Sequence, residues 1–328
     1  MHLASPRRLP AATAERRASA LTVVRTATLA LLLLGPLAPR AATASAPSAV
    51  PTAAAIEAVL AAAPPAGGAR AAAASAPLLG VRYLLSPLGE GRGEDPDPTF
   101  RLDAFDCVTF VETAMALGGA ASLEEAGRAL DEVRYAGAAV EIADRNHEVL
   151  SQWIPANLAK GRIAPLAREV GGGAAVVAAT EYTPERWRRL RAAGQRLTGV
   201  PAGREPLGRF EVEVVPPAAL LARADRIPDG TVAWVVRQEQ AGSITRVSHG
   251  GLIVVRDGRR LVRHASSWPG VMKVVEEPLA DFLRHQRQAS HRPLTGLALF
   301  RILDGRAAPA AGGPPPDAPV PQPAPPHP

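Results

Sequence analysis

Cys107 stands in the string Phe105-Asp106-Cys107-Val108-Thr109-Phe110-Val111-Glu112, and it is the single cysteine of a 328-residue chain. With no partner for an internal disulfide, its chemistry is that of a free thiol. The string reads as the entry to a helix, where unpaired backbone N–H groups and the helix dipole favour an anion. A thiolate nucleophile is therefore the first expectation. The alternative for such a residue is a buried small hydrophobe.

Two histidines, His249 and His264, flank an apolar run interrupted by Asp257-Gly258. Asp-Gly between such runs is a strong two-residue hairpin signal. A turn there pairs Arg256 with Arg259, and His264 then lies opposite Gly251. His249, two residues before Gly251, projects from the same face, so the imidazoles become diagonal neighbours with backbones about 7–8 Å apart. A one-residue slip would put them on opposite faces. A helix-start thiol packed beside this hairpin gives nucleophile, base and orienter in the order Cys107, His249, His264. Taken singly, each histidine is equally well a polar residue at a strand end, and the three together are also a conceivable zinc set.

The elements that must position these groups follow from periodicity. Val108 to Leu117 repeats apolar residues at helical spacing and stops at Gly118-Gly119. Ser122-Leu123-Glu124-Glu125 resembles a capping box opening a second helix that ends near Tyr135. Thr183-Pro184-Glu185 opens another, running to about Ala193. From Phe210 the pattern is that of strands: Phe210–Val215, Thr231–Arg237, Gly250–Arg256, Arg260–His264, Val271–Val275 and Gly296–Ile302. Helices first and strands later predict an α+β domain with an antiparallel sheet of about six strands. Apart from that helix from Thr183, the Gly/Ala/Arg-rich stretch 168–207 is not assigned a place in the fold.

Further polar residues could line a site. Arg145, Asn146, His147, Trp153 and Asn157 form an aromatic-polar cluster able to stack on sugars and pair with carboxylates. A helix surface with a core tryptophan is the competing reading. Tyr83 is either a site hydroxyl or a packing residue. Asp106 is a natural helix cap, and His285 and His291 read as solvated.

The ends of the chain do not read as part of this domain. Arg7, Arg8, Arg16, Arg17 and Arg25 precede or border a short apolar run, Thr26 to Gly35, and small-residue cleavage candidates follow it. Residues 1–46 are thus expected to be a secretory signal peptide, giving a periplasmic or secreted protein with no stable membrane anchor after cleavage. Residues 47–75 read as an Ala/Pro-rich linker with a short helix at Ala54–Ala63. The domain proper is expected over 76–303. Residues 304–328 hold ten of the 33 prolines and read as a disordered tail. The chain has 37 Lys+Arg against 31 Asp+Glu, but without residues 1–44 the balance is 31 against 30. No basic cluster remains to suggest nucleic acid. Oligomeric state is not legible.

Taken together, the cysteine string, Arg145-Asn146-His147 with Trp153 and Asn157, Ser248-His249-Gly250-Gly251-Leu252-Ile253, and His264-Ala265-Ser266-Ser267 resemble the DUF1460 group, a branch of the NlpC/P60 papain-like superfamily. Leu79-Gly80-Val81-Arg82-Tyr83-Leu84 is similar to the family's lead-in to the cysteine. The resemblance spans residues 70 to 302. It implies a papain-like α+β fold with the cysteine helix packed on the sheet. It also implies an N-acetylmuramoyl-L-alanine amidase acting on peptidoglycan or muropeptides. Other branches of the superfamily cut the γ-D-glutamyl–diaminopimelate bond, and a non-catalytic wall-binding module is a third reading. Carried over by motif, Cys107 is the nucleophile, His249 the base and His264 the orienter. Tyr83, Arg145, Asn146, His147, Trp153, Asn157 and Ser266 are candidates for substrate contact. The resemblance implies no metal and no cofactor. Many members have Val after the first histidine, where this chain has Gly250.

Overall fold

The computed structural model describes residues 50–65, 67–192, 199–240, 243 and 245–303. The expected signal peptide and proline-rich tail lie outside the described residues. The helices are α1 (Ala53–Ala62), α2 (Gly67–Ala74), α3 (Cys107–Gly118), α4 (Leu123–Arg134), α5 (Ile154–Ala159), α6 (Ala167–Gly171), α7 (Pro184–Ala192), α8 (Pro217–Ala222) and α9 (Leu279–Gln288). The strands are β1 (Arg82–Tyr83), β2 (Ala104–Phe105), β3 (Ile163–Pro165), β4 (Val176–Tyr182), β5 (Gly208–Val214), β6 (Thr231–Arg237), β7 (Val247–Arg256), β8 (Arg259–Ser266), β9 (Lys273–Pro278) and β10 (Leu294–Ile302). Among the described residues no helix is long and apolar enough to cross a membrane.

The fold is mixed α+β, but the main sheet has eight strands rather than six, in the order β2-β1-β9-β8-β7-β6-β10-β3. Three of the eight, β1, β2 and β3, are only two or three residues long. Such strands are too short to show a period of two, and their pairing comes from the tertiary structure. The β1·β2 pair is parallel, so the sheet is not purely antiparallel. The predicted strand at Phe210–Val215 exists, but it pairs with β4 in a separate two-stranded ribbon. In the stretch 168–207 the predicted helix is present as α7, β4 is a strand not anticipated from sequence, and ribbon and helix enclose a small cluster of Tyr182, Trp187, Leu190 and Val200.

Two apolar layers sandwich the main sheet. One holds Phe110, Val111 and Ala114 of α3 against Trp234, Leu252, Val254 and Ala265. The other holds Leu279, Phe282 and Leu283 of α9 against Val235, Ile253 and Val262. Strand alternation produces this split, since β6 and β7 send successive side chains to opposite layers.

The hairpin forms as predicted. Asp257 and Gly258 have φ of 50° and 73°, the positive angles at both central positions that a type I′ turn requires. Arg256 pairs with Arg259, and the register continues to Leu252↔Arg263. There the ladder between β7 and β8 ends, so His249, Gly250 and Gly251 have no β8 partner. On the other side of β7, a bulge at Ser248 separates the Val235↔His249 and Val236↔Val247 pairs. Both features lie at the end of β7 that carries His249.

Candidate active site

Asp106 caps α3. Its carboxylate accepts from the Thr109 N–H at 2.8 Å, while Thr109 Oγ1 accepts from the Asp106 N–H at 3.0 Å. The second carboxylate oxygen accepts from the Ser86 N–H at 3.0 Å. This capping box sets the first turn of the helix and with it Cys107. The Cys107 thiol is half-buried, and backbone N–H groups of Gly250, Val108 and Cys107 itself stabilise its anion. The sulfur therefore lies where β7 has lost its β8 partner, beside the residue that follows His249.

Burial nevertheless dominates, and with the charge of Asp106 it pushes the Cys107 thiol up to about 12. Burial first, and then the carboxylate that caps the helix, oppose the ionisation that the helix start favours. Tyr83 shares this neighbourhood. Burial, Cys107 and Asp106 raise its phenol to about 12, and its hydroxyl reaches Ser267.

The two imidazoles meet as the hairpin register requires, with Nε2 of His249 2.8 Å from Nδ1 of His264. The rings are nearly perpendicular at 4.9 Å between centroids. Phe282 of α9 packs on both, at 6.0 and 5.1 Å. The pair is thus seated on the α9 layer, while the core of α3 lies on the other layer. Among the described residues no hydrogen bond joins Cys107 Sγ to either ring. What links the two groups is β7 itself: the Gly250 N–H reaches the thiol, and the residue before it is His249. Burial holds the His249 pKa well below its ordinary value, aided by His264 and by Arg237. Arg237 itself donates to Ser248 Oγ at 2.7 Å.

Gly250 is required by close approach. A Cβ there would meet the Trp234 ring at 2.2 Å. This explains the departure at the residue after the histidine, since an indole occupies the space a valine would need.

Two cavities flank this junction. One, of about 350 Å³, is lined by His249, His264, Ser266, Trp268, Glu277 and His285 among others. The second, of about 270 Å³, is lined by Tyr83, Cys107, Glu112, Arg134, Arg145 and Asn146 among others. Tyr83 in the second cavity reaches Ser267 in the first.

The aromatic-polar cluster divides. Arg145, Asn146 and His147 line the thiol cavity. Arg145, however, is held by Glu90 at 2.5 Å and by Asp95 at 2.8 Å. His147 Nε2 lies 2.7 Å from the Ile142 carbonyl. Trp153 and Asn157 are in the core rather than on a substrate wall, at 0% and 1% exposure. The Trp153 indole crosses Trp234 and donates to Glu112 at 3.2 Å. Asn157 donates to the carbonyls of Val133 and Trp153. Ser266 lines the imidazole cavity and accepts from the Trp268 N–H at 3.3 Å.

Two groups beside the histidines carried no sequence signal. Glu277 Oε1 lies 2.9 Å from His264 Nε2, and its other oxygen lies 2.5 Å from His285 Nδ1. His285 is 44% exposed, as expected of a solvated residue, yet it is also tied into this chain and stacked on Trp268 at 6.0 Å. The hairpin register alone could not place Glu277, because β9 begins two residues later than the predicted strand.

A family model described as AmiA-like, N-acetylmuramoyl-L-alanine amidase-like, matches residues 73–289. Among solved structures, a Legionella pneumophila protein of family DUF1460 is 24% identical, with TM-score 0.58, covering 71% of this chain and 87% of its own. An N-acetylmuramoyl-L-alanine amidase from Bacteroides uniformis is 21% identical, with TM-score 0.56, covering 72% and 98%. A Bacteroides fragilis protein named as a candidate xylanase is 22% identical, with TM-score 0.53, covering 68% and 96%. At these identities the likeness is one of fold. No curated protein matches the chain. The family match covers most of the domain and includes Cys107, His249 and His264, and the chain belongs to the AmiA-like, N-acetylmuramoyl-L-alanine amidase-like family.

Proposed function

We propose that this protein is a cysteine amidase that hydrolyses the bond between the muramic acid lactyl group and L-alanine in peptidoglycan fragments. The observation that carries this reading is the hydrogen-bonded His249–His264 pair beside a strand whose next N–H, that of Gly250, stabilises the Cys107 anion. The family match and the amidase name of the Bacteroides uniformis structures support the choice of bond. On this reading the protein works as a papain-like hydrolase of the NlpC/P60 kind, in the periplasm or outside the cell after removal of residues 1–46; the cysteine and histidine strings support it.

Both reacting groups begin neutral. The thiol is held protonated by burial and Asp106, and the imidazole is held unprotonated by burial, His264 and Arg237. Cys107 Sγ adds to the amide carbonyl as its proton passes to His249, and the Cys107 backbone N–H at the helix start receives the developing oxyanion. His249 returns the proton to the alanine nitrogen, the C–N bond breaks, and a thioester remains. A water molecule, deprotonated by His249, then releases the lactyl carboxylate and restores the thiol. The step requires that thiol and imidazole, which share no hydrogen bond among the described residues of the free protein, come within reach of one another when substrate binds. Tyr83 and Asn146 on the thiol side and Ser266 on the imidazole side are the polar groups that would meet the substrate.

Mass spectrometry of products from a purified disaccharide-tetrapeptide tests the bond. Free tetrapeptide is expected. A disaccharide that keeps an alanyl-glutamate stem would instead identify a γ-D-glutamyl–diaminopimelate endopeptidase. Cys107→Ser should keep the fold and lower turnover by on the order of 10⁴-fold or more. Wild-type turnover in that variant would overturn the cysteine mechanism, and the absence of turnover in the unmodified protein would leave a wall-binding module.

A further inference from the structure

The histidine pair does not end at His264. From His249 the contacts run to His264 at 2.8 Å, to Glu277 at 2.9 Å, and on to His285 at 2.5 Å. The backbone explains this alignment. His264 lies opposite Val275, and Val262 lies opposite Glu277. Glu277 is therefore on the same face as His264 and diagonal to it. His285 comes from α9, two turns beyond the start of the helix, and closes the chain from above. Arg237 from β6 and Glu277 from β9 are the charged groups that face the two rings, and His285 from α9 faces Glu277.

A carboxylate can only accept. Its contact with Nε2 of His264 fixes a proton on that nitrogen, which leaves Nδ1 bare in the neutral ring. The bare Nδ1 can only accept from Nε2–H of His249. That in turn leaves Nδ1 of His249 without a proton, as the basic nitrogen of the pair. The opposite arrangement, with His264 donating through Nδ1, protonates the wrong nitrogen of His249 and leaves it with no lone pair for the thiol proton. Resting on the reading of Cys107 as nucleophile and His249 as base, we infer that Glu277 is a positioning residue: it selects the tautomer of His264 and, through it, the basic nitrogen of His249. His285 holds the second carboxylate oxygen and fixes the orientation of the carboxylate.

Nitrogen-15 NMR of imidazole-labelled protein in the Cys107→Ala background tests this without relying on turnover. Expected are protonated Nε2 and bare Nδ1 on both His249 and His264. Protonated Nδ1 on neutral His264 would overturn the inference, whatever the enzyme cleaves. Glu277→Ala should release this preference and lower kcat about tenfold to a hundredfold with KM within twofold, the cost typical of removing a group that orients a histidine. In a His264→Ala background, Glu277→Ala should cost less than twofold, because its action passes through that ring. Equal losses in both backgrounds would reduce Glu277 to a structural residue. Should the tautomers be as stated while Cys107→Ser retains activity, the cysteine mechanism falls and the positioning inference about the ring pair stands apart from it.

Discussion

The two cavities beside the end of β7 hold similar numbers of ionisable groups, yet they are wired differently. On the thiol side Arg145 is already matched by anions, gripped by Glu90 and Asp95. Arg134 lies 3.4 Å from Glu112, a carboxyl that burial pushes up to about 7. On the imidazole side one carboxylate, Glu277, serves two histidines in series and a third ring lies beyond them. Closed ion pairs fix a shape, whereas a chain of single hydrogen bonds transmits a choice of proton position. Proximity to a nucleophile therefore does not make an arginine a substrate contact; its existing partners decide that.

The sharpest way to break this contrast is to cut each side and ask which property falls. His264→Ala should lower kcat by about 10²–10⁴-fold, the range of an acid–base group or its orienter; the ring is buried and bonded at both nitrogens, so about 1–3 kcal/mol of stability should go with it. Arg145→Met should spare kcat and affect stability alone. It strands Glu90, whose other side-chain partner is the Tyr135 hydroxyl at 3.0 Å, and about 3 kcal/mol of stability should go, as for a broken buried pair. KM per folded molecule should stay within about threefold, since the Arg145 guanidinium is already occupied. Thermal unfolding and steady-state kinetics on both variants check this. A large rise in KM for Arg145→Met at unchanged stability would restore it to the substrate wall.

The same contrast bears on what the sequence could show. The Asp106 cap, the α3 helix and the β7–β8 register were legible because each depends on residues within a few positions of one another. The meeting of His249 and His264 follows from that local turn. Glu277 and His285 were not legible. Residues 268–272 form a turn, with Gly270 and Met272 at φ of 84° and 44°, so β9 starts at Lys273 rather than Val271. Trp153 and Asn157 were misplaced for another reason. Residues Val149–Trp153 form a π-helical turn, which breaks the 3.6-residue period that assigns faces. Both residues turn inward there, although their types suit a sugar-binding surface.

The junction between the two sides should be sensitive to volume. Gly250→Val places a branched side chain within the Trp234 ring and should cost about 1–3 kcal/mol by overpacking. Trp234→Leu in the same chain should recover part of that loss, because it removes the ring that a Cβ would meet at 2.2 Å. Denaturant unfolding of the two single variants and the double variant measures the coupling. Strict additivity would show that the glycine answers to something other than the indole.

The smallest expected effect separates two ways of activating the thiol. A cysteine–histidine ion pair present at rest reacts with iodoacetamide at a rate that levels off near neutral pH, once the thiolate is fully formed. Here burial and Asp106 push the thiol up to about 12, and His249 is held below its ordinary value. Both shifts point the same way. Between the depressed imidazole pKa and the raised thiol pKa the neutral pair dominates, so the thiolate fraction grows about tenfold per pH unit across the neutral and mildly alkaline range. The alkylation rate of Cys107 should rise accordingly from pH 6 to 9 with no plateau. His249→Ala should leave that slope unchanged, since a base that acts only during turnover does not set the resting charge of the sulfur. A plateau below pH 8 that disappears in His249→Ala would mean that the two sides already share a proton before substrate arrives.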